Sequence, residues 1–211
     1  MHIRRAVTSL LAVGVLATVV ALPAAAAEPP SVVDVLAADG QSFDHNWSDY
    51  DIVERAALTV LAAKPGSAVA ALADPNASLT VFAPTDRAFR KLVHSLTGKR
   101  YDSEAKTFNK LVKAVTGLVG QSKTIDTIEA VLLYHVVAGN VPSSAVPGLD
   151  GQNVTTAGGG TFKVIVDTSV RLRDKDPNAA NARLVLDRLD IPAGNSVIHT
   201  INRVLRPINL P

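Results

Sequence analysis

The sequence predicts an α+β fold, with helices in the first part of the chain and strands in the last. Apolar residues recur at intervals of three and four along residues 52–61, 89–96 and 108–119, which is the period of a helix buried on one face. After residue 150, short runs of β-branched residues alternate with turns rich in glycine, proline and asparagine. Helices followed by hairpins are typical of α+β domains.

The first 27 residues have the pattern of a secretory signal peptide. Arg4 and Arg5 precede an apolar stretch at residues 6–22, and the alanines at residues 25–27 provide a cleavage site before Glu28. The alternative is an uncleaved membrane anchor, but the apolar stretch is short for a span of roughly 20 residues. We therefore expect residues 1–27 to be removed and residues 28–211 to form one domain that is released outside the cell.

Removal of the signal peptide makes the chain electrically neutral. Of the 21 lysines and arginines, 19 remain without Arg4 and Arg5, and they balance 19 aspartates and glutamates. No basic stripe with interleaved aromatic residues is present, which argues against nucleic-acid binding. The sequence has no cysteine, so the core must be stable without disulfides. No later segment is long and apolar enough to span a membrane.

The first part of the chain is predicted as helices around one buried strand. Helices are expected at residues 32–38 and 52–61, and a strand at residues 79–82 that ends before Pro84, which has no N–H for a strand ladder. Thr85 and Asp86 are candidate caps of the next helix. Residues 101–124 add a further helix, and Asp126 and Glu129 have the spacing of a capping box ahead of another.

The last part of the chain is predicted as two hairpins and a final strand. The first hairpin covers residues 151–166 and turns at the glycines of residues 158–160. The second pairs residues 169–173 with residues 183–189. Residues 197–205 alternate in the manner of a strand with two distinct faces. We expect Phe82, Phe89 and Ile198 to lie in one core.

Three segments, in this order, closely resemble the fasciclin (FAS1) domain: LTVFAPTDRAF at residues 79–89, LLYHVV at residues 132–137 and NSVIHTINRVLRP at residues 195–207. The resemblance extends from about residue 31 to residue 207. It implies a β-wedge or sandwich of about seven strands flanked by helices. It also implies a secreted, non-enzymatic adhesion module without a cofactor. Its expected partner is an extracellular matrix or cell-surface protein, or a polysaccharide, and we expect the protein to be a monomer.

Two residue pairs are candidate partner-binding sites through this resemblance. In some animal members, the segment around the pair that matches Tyr134-His135 binds cells. The residues themselves favour a buried His135 that hydrogen-bonds backbone at a helix-to-strand junction. Asp190-Ile191 matches a dipeptide that animal members use to bind integrins, but its flanking residues differ here. The alternative is a turn in which Asp190 accepts backbone N–H groups.

Patterns for catalysis or metal binding are weak. Asp174, Asp176 and Asn178 have the spacing of a calcium loop, but the glycine and glutamate that complete the pattern are missing, so we predict a turn and no metal site. No nucleophile elbow, zinc-binding helix or phosphate loop occurs.

Three hypotheses remain. The first is an adhesion module, which a closed core with shallow loops would favour. The second is a carrier of a small apolar or polysaccharide ligand in a cleft between helices and wedge, which a large apolar pocket would favour. The third, a hydrolase, would need a nucleophile, a base and an acid brought together by the fold.

The signal-peptide assignment gives the first prediction. N-terminal sequencing of protein from the culture medium is expected to begin at Glu28. A membrane-bound protein that retains Arg4 and Arg5 would contradict it.

Overall fold

The computed structural model describes residues 28–40 and 42–210, and the predicted signal peptide lies outside this range. The described helices are α1 (Val32–Leu36), α2 (Asp51–Ala63), α3 (Asp86–Thr97), α4 (Glu104–Val119) and α5 (Thr124–Tyr134), with 3₁₀ helices at Ala68–Ala73, Gln121–Lys123 and Ser143–Leu149. The strands are β1 (Leu79–Pro84), β2 (Val136–Ala138), β3 (Asn153–Thr155), β4 (Thr161–Val166), β5 (Val170–Arg173), β6 (Ala182–Arg183), β7 (Ile191–Ala193) and β8 (Ser196–Ile201).

The strands form two four-stranded sheets. The first has the order β2-β1-β8-β7, and the second has the order β3-β4-β5-β6. Within the first sheet, β1 and β8 run parallel, with Val81 opposite Ile198 and Phe82 opposite His199. An isolated bridge between Leu184 and Ile201 links the end of the second sheet to β8. The α+β class is confirmed, with eight described strands where about seven were expected.

Two cores lie on opposite faces of the first sheet. Side chains of β1 alternate between them: Val81 packs with the helices, whereas Phe82 packs with the second sheet and meets the ring of Phe162 edge-on at 5.3 Å. Phe89 and Ile198 belong to the helical core. The prediction of one core for Phe82, Phe89 and Ile198 was therefore wrong, because both faces of this sheet are covered.

Several acidic side chains connect helices to other segments and do not cap their own helix. The side chain of Thr85 does not cap α3. Oδ1 of Asp86 accepts a hydrogen bond from the backbone N of Ile52 at the start of α2, at 2.9 Å. Helix α5 begins at Thr124, ahead of the predicted capping box. Asp126 and Glu129 instead bind Lys64, just beyond the end of α2. The capping-box prediction was wrong, because the ammonium group of Lys64, which is distant in sequence, binds both carboxylates.

The hairpin predictions were partly right. Strands β3 and β4 pair around the glycine turn as expected. On its other edge β5 pairs with the two-residue strand β6, Ala182 and Arg183, so most of the predicted partner at residues 183–189 lies outside the sheet ladder. The last strand ends at Ile201, and every residue of β8 is buried. A strand covered on both faces shows no alternation of exposure.

The turn between β7 and β8 requires glycine. Gly194 has a φ of 58°, and a Cβ there would lie 2.1 Å from the carbonyl oxygen of Pro75. The backbone N of Asn195 donates to the same oxygen at 2.8 Å. This approach joins the hairpin to the segment that precedes β1.

The separation of the two cores gives the second prediction. Phe82→Ala is expected to lower the free energy of unfolding by roughly 3–5 kcal/mol, which is usual for a buried phenylalanine. The milder Phe82→Leu and Phe89→Leu changes are expected to add within about 0.5 kcal/mol in a double-mutant cycle followed by urea unfolding, because the two rings share no core. A coupling above about 1 kcal/mol would contradict separate cores.

Candidate functional site

The helical core contains a cavity of about 680 Å³. Its walls come from α3, α4, α5 and the C-terminal segment (residues 204–210), and Val53 and Ala56 of α2 contribute to the lining. The apolar stripes of the helices supply most of the surface: Phe89, Leu92, Leu96, Leu111, Val115, Ile128, Val131 and Leu132. These are the same periodic positions from which the helices are predicted, so the stripes both build the core and line the cavity.

Large apolar side chains are exposed where the cavity meets solvent. Leu118 on α4 is 49% exposed and Ile208 on the C-terminal segment is 55% exposed, and both line the cavity. Leu186, at 71%, is the third large apolar side chain exposed to this degree in residues 28–40 and 42–210, and it does not line the cavity. Exposed apolar groups beside a concave surface are typical of binding sites.

The polar groups of the lining are mostly engaged within the protein. Arg206 donates from Nη1 to Asp176 and from Nη2 to Ser95, at 2.7 and 2.8 Å. The hydroxyl of Thr127 donates to the backbone oxygen of Lys123 at 2.8 Å. The cavity therefore offers an apolar surface with few available hydrogen-bonding groups, which suits an apolar molecule better than a sugar.

His135 lies in the cavity wall at the end of α5. Its Nδ1 donates to the backbone oxygen of Val131 at 2.7 Å, and its Nε2 accepts from the backbone N of Leu205 at 2.8 Å. Burial lowers the pKa of His135 to about 4. The prediction of a buried histidine that ties a helix-to-strand junction to backbone is confirmed, and the second partner is the C-terminal segment.

Tyr134 faces the other core. Its side chain is packed with Phe162, and its hydroxyl donates to the backbone oxygen of Thr161 at 2.6 Å. Burial raises the pKa of Tyr134 to about 12. Tyr134 and His135 are both buried, so neither presents a side chain to a partner in this structure.

Asp190 is the exposed residue that precedes β7, and Ile191 is the first residue of that strand. Asp190 has a φ of 54°, and its carboxylate accepts hydrogen bonds from the backbone N of Ser143, at 2.7 Å, and from the Ser143 hydroxyl. These bonds lower the pKa of Asp190. Ile191 packs partly against the helical core. Asp190 accepts a backbone N–H group and Ile191 contacts the core as expected, although the donor is the distant Ser143 and not a group of a local turn. Among the four predicted binding residues only His135 lines the cavity.

The two fully packed histidines are occupied by backbone groups. His199 accepts from the backbone N of Asp190 at Nδ1, at 3.2 Å, and donates from Nε2 to the oxygen of Val141, at 2.9 Å. Oδ1 of Asp190 lies 3.9 Å from the same Nδ1. The Ser143 hydroxyl contacts Asp190 and neither histidine. A serine–histidine–acid relay is not assembled at either histidine.

The Asp174–Asn178 segment is a turn that is hydrogen-bonded to the C-terminal segment. Asp176 is buried and binds the guanidinium of Arg206, and Asp174 accepts from the backbone N of Arg206 at 2.7 Å. The same two aspartates also accept backbone N–H groups of their own turn, both at 3.0 Å. These contacts hold the start of the C-terminal segment over the cavity. Sequence reasoning missed this role of residues 204–210, although Ile208 and Leu210 extend the apolar pattern beyond the last strand.

A family model, the Fasciclin domain, matches residues 56–207. This chain belongs to the fasciclin domain family. Fasciclin domains are in general adhesion and interaction modules of extracellular and cell-surface proteins. Among solved structures, this fasciclin chain is similar to a FAS1 domain pair from the insect cell adhesion molecule Fasciclin I. The identity is 15% and the TM-score 0.41, over 72% of this chain and 44% of that one.

A comparison with proteins of curated function gave no match. Within the residues that the structure describes, no helix combines the length and the apolarity needed to cross a membrane.

His135 gives the third prediction. Its folded pKa of about 4 lies below the usual 6.5, so between these values the unfolded chain binds a proton that the folded chain does not. The stabilising contribution of His135 is therefore complete above about pH 6.5 and is lost as the pH falls to 4, by about 3 kcal/mol.

The measurement is urea unfolding of the wild type and of His135→Gln from pH 7.5 to pH 4. Other titrating groups are common to both proteins and cancel in the difference between their unfolding free energies. The wild type is expected to be more stable by roughly 1–3 kcal/mol at pH 7.5, and this advantage should disappear at pH 4. An advantage that does not change with pH would contradict a neutral, buried His135.

Proposed function

We propose that this protein is a secreted, non-enzymatic interaction module whose binding site is the apolar cavity and whose ligand is a small apolar molecule. The observation that carries the proposal is the cavity of about 680 Å³ between α3, α4, α5 and the C-terminal segment. Of the two leading hypotheses from the sequence, a carrier and an adhesion module with a closed core, the geometry favours the carrier.

The size and chemistry of the cavity support a small apolar ligand. Sites for small molecules usually have volumes of roughly 300–1,000 Å³ and mostly apolar walls. The side chains of Leu118 and Ile208 extend the apolar surface to the rim, where a ligand would enter. A polysaccharide would need many hydrogen-bonding groups, and those of the lining are largely engaged by Asp176, Ser95 and backbone oxygens.

Secretion is proposed from the sequence and the family together. The first 27 residues have the order of charged, apolar and small residues that export requires. Fasciclin domains occur in extracellular and cell-surface proteins. The engagement of both ring nitrogens in His135 and His199 supports a non-enzymatic role, because neither ring can accept a proton from a substrate without breaking a backbone contact.

A second candidate is partner binding at the Asp190-Ile191 turn. The side chain of Asp190 is 45% exposed and is held in place by Ser143, so a charged group is presented in a fixed position. Its carboxylate already accepts two hydrogen bonds, and Ile191 is half-buried, which limits the new contacts that the turn can make. The cavity is therefore the stronger proposal.

The fourth prediction tests the cavity with N-phenyl-1-naphthylamine, an uncharged apolar dye that fluoresces when it leaves water. The wild type is expected to bind it saturably. Leu118→Glu is expected to weaken binding about tenfold or more, which corresponds to about 1.4 kcal/mol, because it places a charge at the rim. Leu186→Glu is the matched control: it adds the same charge at an exposed leucine away from the cavity.

Thermal melting of both variants checks that they remain folded. Equal weakening by Leu118→Glu and Leu186→Glu, or no saturable binding by the wild type, would contradict the cavity as the binding site. Asp190→Asn distinguishes the second candidate, since it removes the charge and keeps an oxygen for the backbone N of Ser143. A partner whose binding is lost in Asp190→Asn and kept in Leu118→Glu would favour the turn.

A further inference from the structure

Acidic side chains meet where three helices begin. Asp51, Asp86 and Glu104 are the first residues of α2, α3 and α4, and Asp49 lies in the loop before α2. One carboxylate oxygen from each of Asp49, Asp86 and Glu104 lies within 4.8 Å of the others. Asp49 also forms a second such group with Asp51 and Asp44. Asp49 is therefore the centre of a cluster of five carboxylates, which we call the acidic cluster.

Four of the five carboxylates of the acidic cluster are buried, whereas Asp44 is exposed. Asp86 and Glu104 are 0% exposed, and Asp49 is 4% exposed. One oxygen of Asp86 accepts from the backbone N of Ile52 at 2.9 Å, and one oxygen of Glu104 accepts from the backbone N of His45 at 2.8 Å. These bonds fix the orientation of both carboxylates and leave one oxygen of each for another ligand.

The remaining oxygens have no partner. Within residues 28–40 and 42–210, no N–H or hydroxyl group donates to Oδ2 of Asp86, Oε1 of Glu104, Oδ2 of Asp51 or either oxygen of Asp49. Asp49 and Asp86 can hydrogen-bond to each other only when one of the two carboxyl groups carries a proton. Buried carboxylate oxygens without partners are rare in native proteins, because the loss of hydration is not compensated. Asp49 is buried close to two other carboxylates, and neither of its oxygens accepts from an N–H or hydroxyl group of the described residues, so its charge requires a proton or a cation from outside the chain.

Protein charges do not neutralise the acidic cluster. None of its five carboxylates forms an ion pair with a lysine, arginine or histidine of the described chain. Three helix N-termini contribute partial positive charge, roughly half a unit each. That charge favours the ionised carboxylates but remains well below the sum of their negative charges.

Proton binding is the alternative means of neutralising the acidic cluster. Burial raises the pKa of Asp86 and of Asp49, and it raises the pKa of Asp51 to about 6. The neighbouring charges that act on these three carboxylates are also mainly acidic: Asp39, Asp44 and Glu104, together with the three carboxylates themselves. A cation bound between the carboxylates of Asp49, Asp86 and Glu104 would offset their mutual repulsion and would contact one oxygen of each.

We propose that the acidic cluster binds Ca²⁺, a divalent cation that prefers oxygen ligands, through Asp49, Asp86 and Glu104. Ca²⁺ takes six to eight oxygens at about 2.3–2.6 Å, so opposite oxygens are about 4.6–5.2 Å apart, which the observed spacing accommodates. Mg²⁺ keeps several waters, for which a buried site offers little access. Zn²⁺ and Cu²⁺ prefer imidazole or thiolate, and the acidic cluster has neither.

The fifth prediction concerns thermal melting of the purified protein at pH 7.5 after removal of metals by chelation. Addition of CaCl₂ to about twenty times the dissociation constant is expected to raise the melting temperature by about 5 °C, with one ion bound per chain by titration calorimetry. MgCl₂ and ZnCl₂ at the same concentration are expected to have much smaller effects.

Asp49→Asn is the decisive variant, because it keeps the shape of the side chain and removes its charge. It is expected to lose the Ca²⁺ shift, and without metal it should melt no lower than the wild type, since a buried charge is removed. Glu104→Gln, which keeps an oxygen for the backbone N of His45, should behave in the same way. Asp167→Asn is the control, because it removes one carboxylate at the β4–β5 turn of the second sheet.

Terbium gives a second readout. Trp47, the single tryptophan of the sequence, lies in the same loop as Asp49, and its backbone oxygen accepts from the N of Arg87, next to Asp86. Excitation of Trp47 is expected to sensitise Tb³⁺ luminescence, and Ca²⁺ should displace the signal. The proposal would be overturned by a wild type that shows neither a Ca²⁺ shift nor sensitised Tb³⁺, or by a Ca²⁺ shift that survives in Asp49→Asn.

Discussion

The parallel pairing of β1 with β8 is the constraint on which the rest of the molecule depends. It joins residues 80–84 to residues 197–201, so the domain closes only when two segments far apart in the sequence meet. Because both faces of this pair are covered, it separates the helical core from the core against the second sheet. The junction is reinforced by His135, whose backbone oxygen accepts from the N of Phe82 and whose ring binds the N of Leu205.

The cavity follows from this arrangement. Helices α3, α4 and α5 pack around the helical side of the sheet, and the C-terminal segment leaves β8 and crosses their open end. Arg206, bound by Asp176 and Ser95, fixes where that segment runs. A completely packed core is more stable than a core with a cavity, because the side chains that line a cavity lose dispersion contacts. Retention of such a space is typical of a binding site.

The acidic cluster, like the cavity, is an arrangement that costs stability. Asp51, Asp86 and Glu104 each suit the first turn of a helix, where a carboxylate is favoured by the helix dipole. Their convergence around Asp49 is unfavourable, because like charges meet in a buried place. Natural proteins tolerate such conflicts mainly where a ligand or a function resolves them. Cavity and acidic cluster are lined by different residues, so an apolar ligand and a cation are separable in experiment.

The sequence by itself determined the family, the α+β class, the order of the elements and the burial of His135, because these follow from short-range periodicity and from contiguous motifs. It could not determine which face of β1 carries Phe82, since alternation along a strand does not reveal that both faces are covered. It predicted that Asp86, Asp126 and Glu129 cap their own helices. In the structure the backbone N of Ile52 binds Asp86, and Lys64 binds the other two carboxylates. Only the tertiary structure brought together Asp49, Asp86 and Glu104, and only it placed residues 204–210 over the helices. Contacts between residues far apart in sequence depend on chain geometry, which no local pattern encodes.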